Sequence, residues 1–216
     1  DRGDMPADMI PDIILVPLCI TEPSSEQKDT VLYRLEFKTL ILANRGYTSV
    51  VTSTRRYKDN TETERRCGQL VAGGDTILAR WEHDLVSRNG YSWPLAGVEN
   101  VLSTADVALC NLECCVSLRG TPTDKGERCP FYYRARPEML RCLTQAGIDT
   151  VTAANNHSGD YGPQSVTDTA MWCDKARLVY VGIGSNAYIA EEPRLLRVGP
   201  VWVAVSGFDT TMPCFQ

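Results

Sequence analysis

Three short polar patches hold most of the side chains in this sequence that could do chemistry: Gly73-Gly74-Asp75, Asn111-Leu112-Glu113 and Asn155-Asn156-His157. Carboxylates and amide oxygens are the donors that a hard or borderline divalent cation prefers, and an imidazole beside them can move protons. Asp75 follows two glycines, which permit a tight or left-handed turn and would present its carboxylate into a crevice; the same triplet is also common as a plain turn. Asn111 and Glu113 stand two residues apart, so on a continuing strand they point to one side. Asn155-Asn156-His157 is the sharpest patch, because Asp160-Tyr161-Gly162 follows and sets two amides, an imidazole and a carboxylate in one loop. Asn156 can offer an amide oxygen to a metal, and His157 has the side-chain type best suited to acid–base work near neutral pH. Asn156-His157-Ser158 also matches a glycosylation acceptor, which a crevice position would shield.

Each patch directly follows an apolar run that reads as a buried strand, at 69–72, 107–110 and 150–153. Further strands are expected at 178–181 and 201–206. Helices fit between them at 94–103, 137–146 and 163–176, each opening on a proline suited to a first helical turn. Gly147 stands where a left-handed cap would close the second. Alternation of this kind predicts an α/β fold, a mainly parallel sheet with crossover helices. In such a sheet the loops leaving the carboxyl ends of neighbouring strands converge on one crevice, so patches far apart in sequence can meet. Ahead of this lies a β-rich segment with runs at 13–16, 31–37 and 47–53, although 33–43 also fits a helical period. The charged, turn-rich stretch 58–66 is the natural seam, dividing a β-rich N-terminal segment, 1–66, from a second domain, 67–216.

The 216 residues, 43% of them hydrophobic, suffice for a substantial core. A net charge of -5 with interspersed signs argues against a nucleic-acid partner, and no stretch approaches the roughly 18 apolar residues of a membrane span. The chain opens at Asp1, which fits a processed segment as well as an excerpt of a longer protein. Nine scattered cysteines favour an oxidising compartment with some disulfides, extracellular or in the cell envelope, over buried free thiols. Two apparent motifs are set aside. Cys110 and Cys114 lack a second pair at finger spacing, and Gly182-Ile183-Gly184-Ser185-Asn186-Ala187 is followed by too short a helix for a dinucleotide site. His83, within Arg80-Trp81-Glu82-His83-Asp84, reads as a surface residue without a functional role.

In order and spacing, the patches resemble the CapA family of capsule (poly-γ-glutamate) biosynthesis proteins, whose domain is a variant of the calcineurin-like metallophosphoesterase fold. The strand with Gly74-Asp75, the Ala105-Asp106 pair before a strand and Asn111-Leu112-Glu113, and the turn Lys125-Gly126 all match. So do the strand-Pro-helix unit ending at Ala146-Gly147, the signature Ala154-Asn155-Asn156-His157 with Asp160-Tyr161-Gly162, and the turn Val181-Gly182-Ile183-Gly184. The likeness covers about residues 69–208. It implies metal-site roles for Asp75, Glu113 and Asn156, a catalytic role for His157 as the acid or phosphate-side group, and places for Asn111, Asn155 and Asp160 in the same pocket. Divalent metal ions, of unspecified identity, are the implied cofactor.

The departures shape the functional expectation. The family continues into a second half that supplies a His-Trp-Gly segment and a late His-x-His pair, whereas the histidines here are His83 and His157. Ile77 also stands where the wider fold has the histidine of Asp-x-His. A complete dinuclear site is therefore not expected from this chain alone, and the metal could be absent from it. Two readings follow: a CapA-like envelope protein of surface-polymer biosynthesis serving as scaffold, slightly favoured by the incomplete ligand set, or a metal-dependent phosphoesterase-like hydrolase with its other ligands elsewhere. Either would leave an open sheet edge for another protein chain or a second copy to cover, and an anionic surface polymer is the implied ligand class.

Overall fold

Short apolar runs become strands and the longer mixed stretches between them become helices, which fixes the order of elements. The computed structural model describes residues 34–43, 47–56, 68–126, 128–198 and 201–209, with backbone alone for 34–43, 47–56, 201 and 202. In chain order come β1 (Arg34–Ala43), β2 (Tyr47–Arg56), β3 (Gln69–Thr76), α1 (Trp81–Asn89), α2 (Glu99–Ser103), β4 (Val107–Leu112), β5 (Cys115–Val116) and β6 (Arg134–Ala135). They are followed by α3 (Leu140–Ala146), β7 (Thr150–Thr152), α4 (Pro163–Ala176), β8 (Val179–Val181), α5 (Ala187–Glu191), β9 (Arg194–Val198) and β10 (Val201–Val205). The strand expected at 13–16 and the seam at 58–66 lie outside the described residues.

Six strands form one sheet in the order β1-β2-β3-β4-β7-β8. The pairs β3–β4, β4–β7 and β7–β8 are parallel, joined by helical crossovers, while β1 and β2 extend the sheet antiparallel through the register Thr54↔Gln69 to Val51↔Ala72. Of the run 33–43, open between helix and strand in sequence, Arg34–Ala43 is strand. All six residues of β4 are buried, because the strand is covered on both faces. Ala108, Cys110 and Leu112 pack with Leu140, Leu143 and Leu102 under the helices. Val107 and Leu109 pack with Leu196, Val198, Val203 and Val205 of the β9–β10 ribbon. Fully burying a side chain such as Leu109 or Val205 contributes about 1.5–3 kcal/mol.

The helix at 163–176 forms as the spacing predicts, but the one expected at 94–103 is broken. A 3-10 turn, Trp93–Leu95, and the short α2 flank Gly97, a residue that costs about 1 kcal/mol inside a helix. Helix α1 was not anticipated, since it buries only Val86 and so leaves almost no apolar period. Strand β9 was also missed: Leu196 and Val198 face the core, but Leu195 and Arg197 face out, and the run is only five residues long. Gly147 closes α3 at φ 88°, where a Cβ would sit 2.7 Å from Ser103 Cα.

The expected disulfides do not appear among the described residues. Cys110, Cys114, Cys115, Cys142 and Cys173 are buried free thiols and Cys129 is an exposed one; the other three cysteines lie outside the described residues. The five buried thiols act as small apolar core residues instead.

Candidate functional site

The glycines before Asp75 do not make a turn. Strand β3 runs on through Gly73 and Gly74 to Thr76, neither glycine has a positive φ, and the pairing with β4 shifts register between Ala72 and Asp75. This irregularity sets Asp75 opposite Asn111 at the carboxyl ends of two parallel strands. Asn111 is buried, and both ends of its amide are engaged. Nδ2 donates to Asp75 Oδ1 at 2.8 Å and to Glu113 Oε2, while Oδ1 accepts from Thr152 Oγ1 at 3.1 Å and Asn155 Nδ2 at 3.0 Å. A neutral amide thus draws two carboxylates together, with Asn111 and Glu113 on one side as their spacing predicted.

Asn155 ties this cluster to the loop after β7. Its Nδ2 also donates to the Leu112 carbonyl at 2.9 Å, and its Oδ1 accepts the His157 N–H at 3.0 Å. The loop lies close over the exit of β8, where Gly182 has φ 87° and a Cβ would come within 2.4 Å of Ala154 Cβ. Only glycine lets the two segments pass.

Beyond Asn155 the loop holds a buried charged relay. His157 Nδ1 meets Asp160 Oδ2 at 2.8 Å, and the Tyr133 N–H donates to the same oxygen at 2.6 Å. Lys125 Nζ pairs with Asp160 Oδ1 as an ion pair outside aligned hydrogen-bond geometry, and lies 3.4 Å from His157 Nδ1. With Asp160 as acceptor, the network assigns the Nδ1 proton to His157 and leaves Nε2 for exchange. The Tyr133 ring packs against the imidazole, centroids 4.2 Å apart, and fixes its plane.

The structure therefore gathers Asp75, Asn111, Glu113 and Asn155 in one network and His157 and Asp160 in an adjoining one. Asn156 joins the second network through its carbonyl, 3.5 Å from Lys125 Nζ, but its side-chain Oδ1 is buried without a hydrogen-bond partner. Two carboxylates and an orphaned amide oxygen are chemically suited to an oxygen-seeking divalent ion. Among the described residues, however, no three His, Cys, Asp or Glu side chains come together closely enough to hold one. Burial pushes the thiol of Cys110, near Asp75, up to about 11. Lys125 and Tyr133 were not singled out as site residues, because 32 and 24 positions separate them from His157. The Lys125-Gly126 turn, held by Gly126 N–H on Asp124 Oδ1, was the one available signal.

What fold and site define is an α/β domain that collects carboxylate, amide and imidazole groups at the carboxyl ends of its parallel strands. The chain belongs to the bacterial capsule synthesis protein family, PGA_cap, whose model matches residues 69–215. It is 29% identical over 135 residues to the capsule biosynthesis protein CapA of Bacillus anthracis, covering 62% of this chain and 33% of that one. It is 34% identical over 113 residues to a probable polyglutamine synthesis accessory protein of Mycobacterium tuberculosis, covering 50% and 28%. An uncharacterized protein of Sinorhizobium fredii, y4sH, is 29% identical over 146 residues, covering 66% and 30%. The chain thus spans about a third of the length of these relatives. Among the described residues no helix is long and apolar enough to cross a membrane.

Proposed function

We propose that this chain supplies one side of a metal-assisted, phosphoesterase-like hydrolytic centre in a cell-envelope protein of surface-polymer biosynthesis. The observation that carries the reading is the buried pair His157–Asp160 braced by Lys125. Their side chains are 10%, 0% and 3% exposed, and desolvating three ionisable groups is costly for a fold that needs only packing. Asp160 orients the imidazole through Nδ1, so that His157 would exchange a proton with a leaving oxygen at Nε2. Asp75 and Glu113, drawn together by Asn111, would contribute ligands to a divalent ion whose coordination is completed from outside this cluster, with the orphaned Asn156 Oδ1 as a further donor; such an ion supplies Lewis acidity and an activated water when bound. The names of the relatives support placing the reaction at a capsule or poly-amino-acid polymer. The remaining ligands would come from the rest of a longer protein or from a partner chain.

The test is metal analysis of the full-length protein together with turnover of a generic phosphodiester. Stoichiometric metal, with turnover lowered at least 100-fold in His157→Ala, is the expected result. No metal and no turnover would replace this reading with a scaffold role.

A further inference from the structure

A cavity of about 380 Å³ opens between the start of α1 and the exit of β6, lined by Arg80, Arg134 and Arg136 with His83, Tyr132 and Tyr161. In a chain of net charge -5, three guanidiniums around one small space make a local cationic focus. None of the three has an ion-pair partner among the described residues. Glu82, Asp84 and Glu138 act on Arg80 and His83 from nearby but do not line the cavity. Asp75, Glu113, Asn156 and His157 do not line it either, so the hydrolytic centre proposed above and this cavity use different side chains.

Neutral groups hold the arginines in place. Arg134 lies over the Tyr161 ring at 4.0 Å and donates to the carbonyls of Arg119 and Gly120 at 3.3 and 3.4 Å. Arg80 lies over Phe131 and Tyr133, 5.5 and 6.0 Å from the ring centroids. Rings and carbonyls orient a guanidinium without neutralising it. His83, read from sequence as a bystander, accepts the Arg136 N–H at Nε2, 3.3 Å away, and so fixes the backbone that carries the third arginine. Burial first, then the Arg136 charge, lowers the His83 pKa and favours the neutral ring that this contact requires, against Glu138, Asp84 and the Leu78 backbone. Arg80 has φ 61° and ψ -117°, a region that glycine enters freely and a residue with a side chain only under strain. The residue is exposed, so core packing does not demand an arginine there.

We propose that this cavity is a binding site for a phosphoryl group, carried as the head of a small phosphate ester. Charge and shape decide between anions. A carboxylate brings one negative charge in one plane, and a single guanidinium fork satisfies it. A phosphoryl group carries about -1.5 to -2 at pH 7 and turns three acceptor oxygens in different directions. Arg80 ahead of α1, Arg134 on β6 and Arg136 just beyond it match the second kind of anion and exceed what the first requires. Tyr132 and Tyr161, edge to face with centroids 6.1 Å apart, add ring surface beside the guanidiniums, and the Tyr132 hydroxyl is tied to the Thr123 carbonyl at 2.6 Å. That surface suits the organic part of an ester, which a free phosphate ion lacks.

Isothermal titration calorimetry of the full-length protein with phenylphosphonate, an ester mimic that resists hydrolysis, tests this, with inorganic phosphate and benzoate as the comparison anions. Phenylphosphonate affinity should fall at least about tenfold in Arg80→Gln/Arg136→Gln and at least about threefold in Arg134→Gln, an independent variant in case the first does not fold. His157→Ala should bind within about twofold of wild type. Benzoate should bind at least about tenfold more weakly than phenylphosphonate, because it has the ring but only a single planar charge. Inorganic phosphate should bind more weakly with the same arginine dependence; equal binding would keep the phosphoryl site and assign it to the free ion. Unchanged affinity in the arginine variants, or benzoate binding as tightly as phenylphosphonate, would overturn the proposal. So would a loss in His157→Ala as large as in the arginine variants, which would move the ligand to the hydrolytic centre. None of these readings depends on turnover.

Discussion

Lys125 and Asp160 are a buried pair of opposite charge, and each depends on the other for compensation. Asp160→Asn leaves the Lys125 ammonium buried without its counter-charge, a loss expected to cost about 3–5 kcal/mol. Lys125→Met in the same background removes the stranded charge and should recover part of that loss. Urea denaturation of the wild type, the two single variants and the double checks this, with a coupling of at least about 1 kcal/mol expected. Strict additivity would mean that the pair does not act as a unit. The sequence exposed only half of this cluster. Asp160 and His157 lie three positions apart in one loop, so their meeting could be read locally. Lys125 reaches them across a turn that the sequence marks only by its likeness to the family pattern, and Asn111's grip on both Asp75 and Glu113 depends on a strand register that no local pattern reveals.

At the scale of elements, the loop between β5 and β6 carries Lys125, so its anchorage bears on the His157–Asp160 cluster. It is pinned to α4 by Asp168, which accepts from Ser117 Oγ at 2.6 Å and from Arg119 Nε at 3.1 Å, with Arg119 Nη2 on its other oxygen. The Arg119 hydrogen bond, aided by Ser117 and opposed by burial, holds the Asp168 carboxyl below its usual range. A depressed carboxylate stabilises the fold above its unfolded pKa, near 4, and loses that contribution as pH falls through the lower folded value. Asp168→Asn should therefore melt below the wild type at pH 7, with the gap closing as pH drops below about 4; a gap constant from pH 7 to pH 3 would refute the linkage. α4 itself was legible, with Pro163 at its start. The connection it anchors was not, because Asp168 and Arg119 are 49 positions apart and no local pattern links them.

For the whole molecule, the sheet divides the core into two layers that share the central strands but little else. The parallel order was legible from alternating strand and helix patterns, and the sequence also exposed the strand-end patches. The cover on the second face was not, since β9 shows only two inward apolar residues and its partner β10 read as one more parallel strand. Pairing β9 with β10 antiparallel makes a ribbon whose Val203 and Val205 close over Val107, Leu109 and Val181. The helical-side core, with Leu78, Ala135 and Met139, belongs to the other layer. Truncating a ribbon side chain should therefore weaken the fold without disturbing the groups on that side. Val205, fully buried, is the place to do it: Val205→Ala removes two methyl groups and is expected to cost about 2–3 kcal/mol. In a domain of this size that is roughly 4–12 °C in melting temperature. The Lys125–Asp160 coupling, measured again in the Val205→Ala background, should stay within about 0.5 kcal/mol of its value in the wild type, because sites without shared contacts contribute almost independently. Loss of that coupling would mean that the ribbon and the buried ion pair are one cooperative unit rather than separate parts packed on a common sheet.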